Sequence, residues 1–335
     1  MKQEILKKWE KIYYYAGMIV ELDPWSRFEE KDIFALLPKN KKEEHFFSFL
    51  KESYGRCSIA IYRNGQAYCH AQERLHGKNP KKEPVFLLQD AVIFLLGDRE
   101  DVSKKNYAII KELGLKCRGR GGWPYFEKYQ VGFVPQDIPE DELDMLLDDL
   151  GNLWVMVHLI AEGKTAVDFA NREIMTRSYS PGDDTFYSYP SKLQKPLVAK
   201  HTVITMQDNE WLNNLRKLPS KGTISLDWSY LPMVVRDEGI DIVPRLLMAV
   251  ENQSGCILCA TMLPPSEVPH EDLLDELMEL IDKRGKPAVI EICDKEIECY
   301  IADLCRHVKI RLEVKPQLKQ LSMARREILK EFQRT

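Results

Sequence analysis

Between Thr223 and Phe332 the apolar residues change period in one ordered series. Thr223–Trp228, Arg245–Glu251 and Cys256–Leu263 read as strands, the last two as a hairpin turning through Asn252-Gln-Ser-Gly255. Glu271–Arg284 places Leu273, Leu274, Leu277, Leu280 and Ile281 on one stripe, the spacing of an amphipathic helix. Ala288–Cys293 is apolar except for Glu291 and reads as a buried strand. Glu296–His307 is a helix, Lys309–Val314 a strand and Leu318–Phe332 a last, basic helix. Strands followed by alternating helices and strands require a mixed sheet with helices laid on it. The second half of the chain is therefore expected to be an α/β domain with a mixed sheet.

The first half has a different rhythm. Gln3–Leu22 is a helix, with Trp9, Ile12, Tyr13, Ala16 and Ile19 at helical spacing, and Asp23-Pro24 ends it because proline cannot continue the hydrogen-bond ladder. Ile33–Leu37, His45–Lys51 and Cys57–Tyr62 read as an antiparallel meander with one covered face. Asn64-Gly65 reads as a turn, Gln66–Leu75 as a helix and Val85–Leu96 as a buried strand pair. Val102–Leu113 is a helix closed by Gly114. Pro139–Ala161 is a long helix, acidic in its first turns, stopped by Gly163. That glycine marks the expected boundary: residues 1–163 as an antiparallel α+β domain, residues 164–335 as the mixed-sheet α/β domain. The hairpin Asn171–Tyr179 with Thr185–Tyr189, the connector Lys192–Lys200, a short strand Val203–Met206 and a helix Asn209–Leu218 fall on the second side. Two domains suit 335 residues, and the class as a whole is α+β.

A net charge of −4 argues against a surface built throughout to coat nucleic acid, although a local basic face remains open. The longest apolar stretch, Val85–Gly97, is interrupted by Asp90 and is shorter than the roughly 20 residues a membrane helix needs, so no membrane partner is expected. Met1–Trp9 is charged, unlike a secretory leader. The eight cysteines of a chain without such a leader are expected to be reduced, which points to the cytoplasm. No P-loop, nucleophile elbow or dinucleotide fingerprint is present, and the residue four after His270 is Leu274, not the second histidine of a zinc-protease helix.

Leu22-Asp-Pro-Trp25 with Asp32-Ile-Phe34, Leu113-Gly-Leu-Lys116, and Arg118-Gly119 leading to Trp123-Pro124 resemble a family of uncharacterised bacterial two-domain proteins. That family implies no activity. The element order of residues 223–332 resembles the ribonuclease-H-like fold of RNases, integrases and transposases. By position the resemblance implies a carboxylate cluster of Asp227 on the first strand, Asp294 at the end of the fourth, Glu276 or Glu279 from the first helix, and Glu327 from the last. Such a cluster would hold Mg²⁺ or Mn²⁺ chiefly through Asp227 and Asp294, one ion activating water and one stabilising the leaving oxygen of a phosphodiester. Glu327 lies among Arg325, Arg326 and Lys330, where a cation would pair with it instead.

Two further segments carry candidate chemistry. The loop Cys117–Pro124 offers Arg118, Arg120 and glycine N–H groups to a phosphate and Trp123 or Tyr125 to a base. The plainer reading is a glycine-permitted turn whose aromatics fold onto the core. The acidic run Asp137–Asp149 reads as a solvated helix face, and the basic tail Lys315–Arg334 as a helix docked through its apolar side. The leading expectation is a non-enzymatic binding or regulatory module without a cofactor, its partner a protein or a nucleic acid. The alternative is a metal-dependent nuclease or nucleic-acid-processing enzyme.

Overall fold

Helix α1 (Gln3–Glu21) forms where the 3.6-residue stripe predicts it, and buries Trp9, Ile12, Ala16 and Ile19. After the short helix α2 (Pro24–Arg27) come β1 (Phe34–Leu37), β2 (His45–Lys51) and β3 (Cys57–Tyr62), paired antiparallel as the alternation requires. Helix α3 (Gly65–His76) follows, with Asn64 as its cap: the side chain accepts from the Ala67 N–H at 2.7 Å. The Asn64-Gly65 pair thus starts a helix rather than a free turn. The computed structural model describes residues 2–39, 43–51, 56–76, 83–193, 197–207, 210–237, 239–266 and 268–332.

Val85–Leu88 is a 3₁₀ turn, so only the second part of the expected strand pair, β4 (Ala91–Gly97), is a strand. Pro84 and the polar pair Gln89-Asp90 bracket the turn. Helix α4 (Lys104–Glu112) is capped by Ser103, and β5 (Trp123–Tyr129) returns beside β4. A single 3₁₀ turn leads into α5 (Leu143–Ala161).

The hairpin β6 (Glu173–Ser180) and β7 (Thr185–Lys192) does not belong to the second domain. It joins the first sheet, β6 lying parallel to β1, and the strand order is β5-β4-β3-β2-β1-β6-β7. The boundary expected at Gly163 therefore moves to Ala199–Lys200. The first unit comprises residues 1–77, 88–130 and 135–199, and the second comprises 78–87, 131–134 and 200–335. The reason is hydrogen bonding: β1 has a free edge, and β6 satisfies it. The sheet is covered on both faces rather than one. α1 and α5 pack on Phe34, Phe47, Phe49, Ile59, Ile61 and Phe94, while Tyr68 and Ala71 of α3 pack on Phe46, Ala60 and Tyr62 from the other side.

In the second unit Val203–Met206 is irregular, not a strand, although Ile204 and Met206 still pack on the core. Helix α6 (Glu210–Lys217) precedes β8 (Thr223–Tyr230). The link to the next long strand is a small ladder of β9 (Val235–Asp237) and β10 (Ile240–Ile242). Then come β11 (Arg245–Glu251), β12 (Ile257–Leu263), α7 (Pro269–Arg284), β13 (Val289–Ile292), α8 (Lys295–Val308), β14 (Arg311–Val314) and α9 (Lys319–Phe332). This is the series read from the sequence. The sheet order is β12-β11-β8-β13-β14, with β11 antiparallel and β13 parallel to β8. α6, α7 and α8 cover one face and α9 the other. Lys286 is buried and donates to the Arg216 and Val308 carbonyls, tying the last turns of α6 and α8 together, and burial lowers its pKa. None of the eight cysteines is in a disulfide. No helix among the described residues is long and apolar enough to cross a membrane.

Glu127 on β5 supplies a pH test. Burial, with Asp137 and Asp101 adding repulsion, pushes its carboxyl from 4.5 to about 7. A raised folded pKa favours the protonated form, so its contribution is complete below 4.5 and is lost as pH rises through about 7. Glu127→Gln is expected to match the parent near pH 4 and to exceed it by about 3 kcal/mol near pH 8, since each unit is worth about 1.4 kcal/mol. Urea melts of both proteins across that range check it; a difference independent of pH would refute the assignment.

Candidate functional site

Alternation along β8 sends Ile224, Leu226 and Trp228 to the α7–α8 side, and Ser225, Asp227 and Ser229 to the α9 side. Asp227 pairs across the sheet with Met248 and is covered by α9. Leu318, Leu321 and Arg325 share one stripe of that region, so the apolar contact that docks α9 also delivers a guanidinium. Arg325 Nη2 donates to Asp227 Oδ2 at 2.7 Å, with the two side chains 14% and 2% exposed.

Asp294 follows β13, which is the neighbour of β8, but its carboxylate has other duties. Oδ1 accepts from the Glu296 N–H at 2.9 Å as the cap of α8, and Oδ2 accepts from Trp228 Nε1 at 3.3 Å. Trp228 lies on the face opposite Asp227, so the adjacent strands do not turn the two acids toward one spot. Glu276 accepts from Thr261 Oγ1 at 2.8 Å over the edge strand β12. Glu279 is exposed and paired with Lys283. Glu327 is exposed on α9 and paired with Lys330 at 2.7 Å. The expected cluster of Asp227, Asp294, Glu276 and Glu327 is thus divided between two faces and solvent. These residues do not fit a two-metal site: the most buried acid has an arginine against it.

The loop after α4 follows the plainer of its two readings. Gly119 and Gly121 adopt φ of 77° and 64°, and a Cβ on Gly122 would collide with the Arg118 carbonyl oxygen. The Gly121 N–H is occupied by Asp98 Oδ1 at 2.8 Å rather than turned to solvent. Trp123 packs on the core beside Tyr107, with the Arg99 guanidinium 5.5 Å from its ring centroid. Arg118 and Arg120 are exposed. The Trp123 ring is half-buried and carries part of the core.

The polar site that the structure does assemble lies in the first unit and was not read from the sequence. The parity that directs Phe47, Ile61, Val92 and Phe126 toward α1 and α5 also directs His45, Arg63, Asp90 and Lys128 to that side. α5 meets them with Glu142 and Asp149. Asp149 Oδ1 lies 2.6 Å from His45 Nδ1, and Oδ2 accepts from Arg63 Nε at 3.4 Å. Arg63 Nη1 donates to Glu142, which also accepts from Lys128 Nζ at 2.6 Å. Burial opposes the Glu142 carboxylate, but Lys128 and Arg63 outweigh it and hold its pKa below the ordinary range. The run Asp137–Asp149 is therefore not a solvated face throughout. Glu142 and Asp149 belong to the same stripe as Leu146, Leu150 and Leu153, and that spacing was the available signal.

Beside this chain of ion pairs opens a cleft of about 300 Å³, lined by Arg63, Asn64, Asp90, Lys128 and Glu142 with an apolar wall that includes Val92 and Met145. Burial raises the Asp90 carboxyl, Glu142 adds to the effect, and Lys128 and Arg63 oppose it.

Residues 9–177 match the model of a family described as a domain of unknown function, DUF7309, and residues 211–329 match a second, domain of unknown function DUF6930. Partial likenesses to solved structures include a simian T-cell lymphotropic virus intasome in complex with PP2A regulatory subunit B56 gamma, at 16% identity and TM-score 0.24 over 35% of this chain and 37% of that chain. Two structures of the HTLV-2 integrase catalytic core domain in complex with magnesium align at 12% and 11% identity. Their TM-scores are 0.23 and 0.26, over 28% and 34% of this chain and 60% and 72% of theirs. The chain thus spans little more than a third of the first of these chains and under two thirds of the second. Likenesses at that level do not establish a shared fold. No curated protein sequence matches the chain.

Proposed function

The chain belongs to the family of the domain of unknown function DUF7309, and on that premise we propose that it is a non-enzymatic binding module. In this reading the second unit keeps a ribonuclease-H-like strand order but has lost metal-dependent phosphodiester chemistry, and the charged cleft of the first unit is where binding is to be sought. The observation that carries it is the Arg325–Asp227 pair at 2.7 Å. A metal at Asp227 would have to displace a buried guanidinium, and the removal of one partner from a buried pair costs about 3–5 kcal/mol. Asp294 supports the same reading, since a carboxylate that caps a helix and accepts from an indole has few lone pairs left for a cation.

The parallel neighbours β8 and β13 are what favours the nuclease alternative. Thermal melting with and without millimolar Mn²⁺, on the parent and on Asp294→Asn, separates the two, together with a cleavage assay on an RNA and DNA panel. The expected result is no metal-dependent shift and no cleavage. A rise in Tm with Mn²⁺ that disappears in Asp294→Asn, accompanied by cleavage, would replace the binding reading with the nuclease.

A further inference from the structure

Outside the cleft, the first unit holds one guanidinium that has been given neutral partners and no counter-charge. Arg177 lies opposite Ser188 in the antiparallel ladder of β6 and β7, and Tyr179 lies opposite Phe186, so these four side chains share the face on which α5 packs. Arg177 is half-buried there. Its Nε donates to Asn152 Oδ1 of α5 and its Nη1 to Ser188 Oγ, both at 2.7 Å. The guanidinium carbon stands 5.1 Å from the Phe186 ring centroid.

All three partners are neutral. No acid among the described residues pairs with Arg177, and burial alone acts on its pKa, lowering it. Asp148, one turn before Asn152 on α5, is raised by burial and by Asp149 and Asp144, with no relief from Arg177. Taking a cation partly out of water has a cost that neutral acceptors return only in part. What those acceptors do is hold the guanidinium in one orientation. Nη2 has no partner among the described residues and, unlike Nη2 of Arg63, is open to solvent. Its two N–H groups therefore stand ready for an acceptor that the chain does not supply, and a charged acceptor gives the strongest such bond.

The charge count sets the class of that acceptor. One positive charge matches one negative charge. The acids of α5 on this side, Asp144 and Asp148, would repel a dianionic phosphate more than a monoanion. The rings of Phe186 and Tyr179, half-buried and with centroids 5.3 Å apart, offer an apolar surface to the body that bears the charge. We infer that Arg177 anchors a binding site for a small aryl carboxylate, its charge on Nη2 and its ring beside Phe186 and Tyr179. The site deepens the reading of this chain as a binding module. Its test is separate from the metal and cleavage assays, so either can fail alone.

Titration calorimetry of the full chain with phenylacetate tests it. Phenylacetamide and acetate serve as controls, the first without the charge and the second without the ring. Phenylacetate is expected to bind saturably, and each control at least about tenfold more weakly, the scale of one hydrogen bond to a charged group or of one ring withdrawn from water. Arg177→Gln removes the charge and keeps an amide that can donate to Asn152. It is expected to keep the parent's melting temperature and to lose binding about tenfold or more. Should that variant fail to fold, the two control ligands on the parent decide the matter without it. No saturable binding of phenylacetate, equal binding by either control, or undiminished binding by a folded Arg177→Gln would each overturn the proposal.

Discussion

Asp149→Ala is expected to destabilise the first unit by about 3–5 kcal/mol, the cost of leaving buried charge without its partner. Asp149 is 1% exposed and serves two groups, His45 at 2.6 Å and Arg63 at 3.4 Å. Removing it leaves Arg63 with Glu142 alone, and leaves a buried imidazole nitrogen with nothing to bond. The space vacated lies between α5 and the sheet, where Leu146, Leu150 and Leu153 are fully buried. Asp149→Asn keeps an acceptor for His45 and is expected to cost less, while still losing the charge opposite Arg63. Urea melts followed by circular dichroism measure both. A loss below about 1 kcal/mol for the alanine variant would mean that the network is solvated, and that Arg63 is not held in place for the cleft.

Asp227→Ala is expected to be comparably costly, about 3–5 kcal/mol, for the same physical reason. Arg325 is 14% exposed and would remain on the covered side of α9 with its counter-charge gone. The informative comparison is the double variant Asp227→Leu with Arg325→Met. Replacing a buried pair by apolar groups of similar size is often neutral or stabilising, so the double variant is expected to recover most of what the single one loses. A structural pair gives that pattern. If Asp227→Ala alone were neutral, Asp227 would not be held by Arg325, and the main obstacle to a metal at that position would be gone.

The pairing of α9 with Asp227 shows how much could be read in advance. Glu327 was expected to be neutralised by a neighbouring cation, and Lys330 is that cation, because both lie one turn apart on an exposed face. The partner of Asp227 could not be read, because Arg325 lies 98 positions away in the chain and only the docking of α9 brings it near. The loop from Cys117 to Pro124 was open between a phosphate cradle and a packed turn. Gly122 and Trp123 decided it, one through a close backbone approach and the other through a place in the core.

Local periodicity alone determined the long elements of the second unit, β8 and then β11 to α9, since each run buries one face and its period is written in neighbouring residues. It also determined α1 and the meander β1–β3, whose antiparallel partners follow one another in the chain. Tertiary structure decided whatever depends on residues far apart. β6 was free, as a sequence, to start a new domain, and only the unsatisfied edge of β1 made it part of the first sheet. Glu142 and Asp149 looked like the rest of an acidic run until α5 was laid on the sheet with its apolar stripe inward. His45, Arg63, Asp90 and Lys128 converge because strand register brings positions tens of residues apart to one end of one face. No pattern within a single segment records that register, which is fixed by hydrogen bonds between strands and by the helix that covers them.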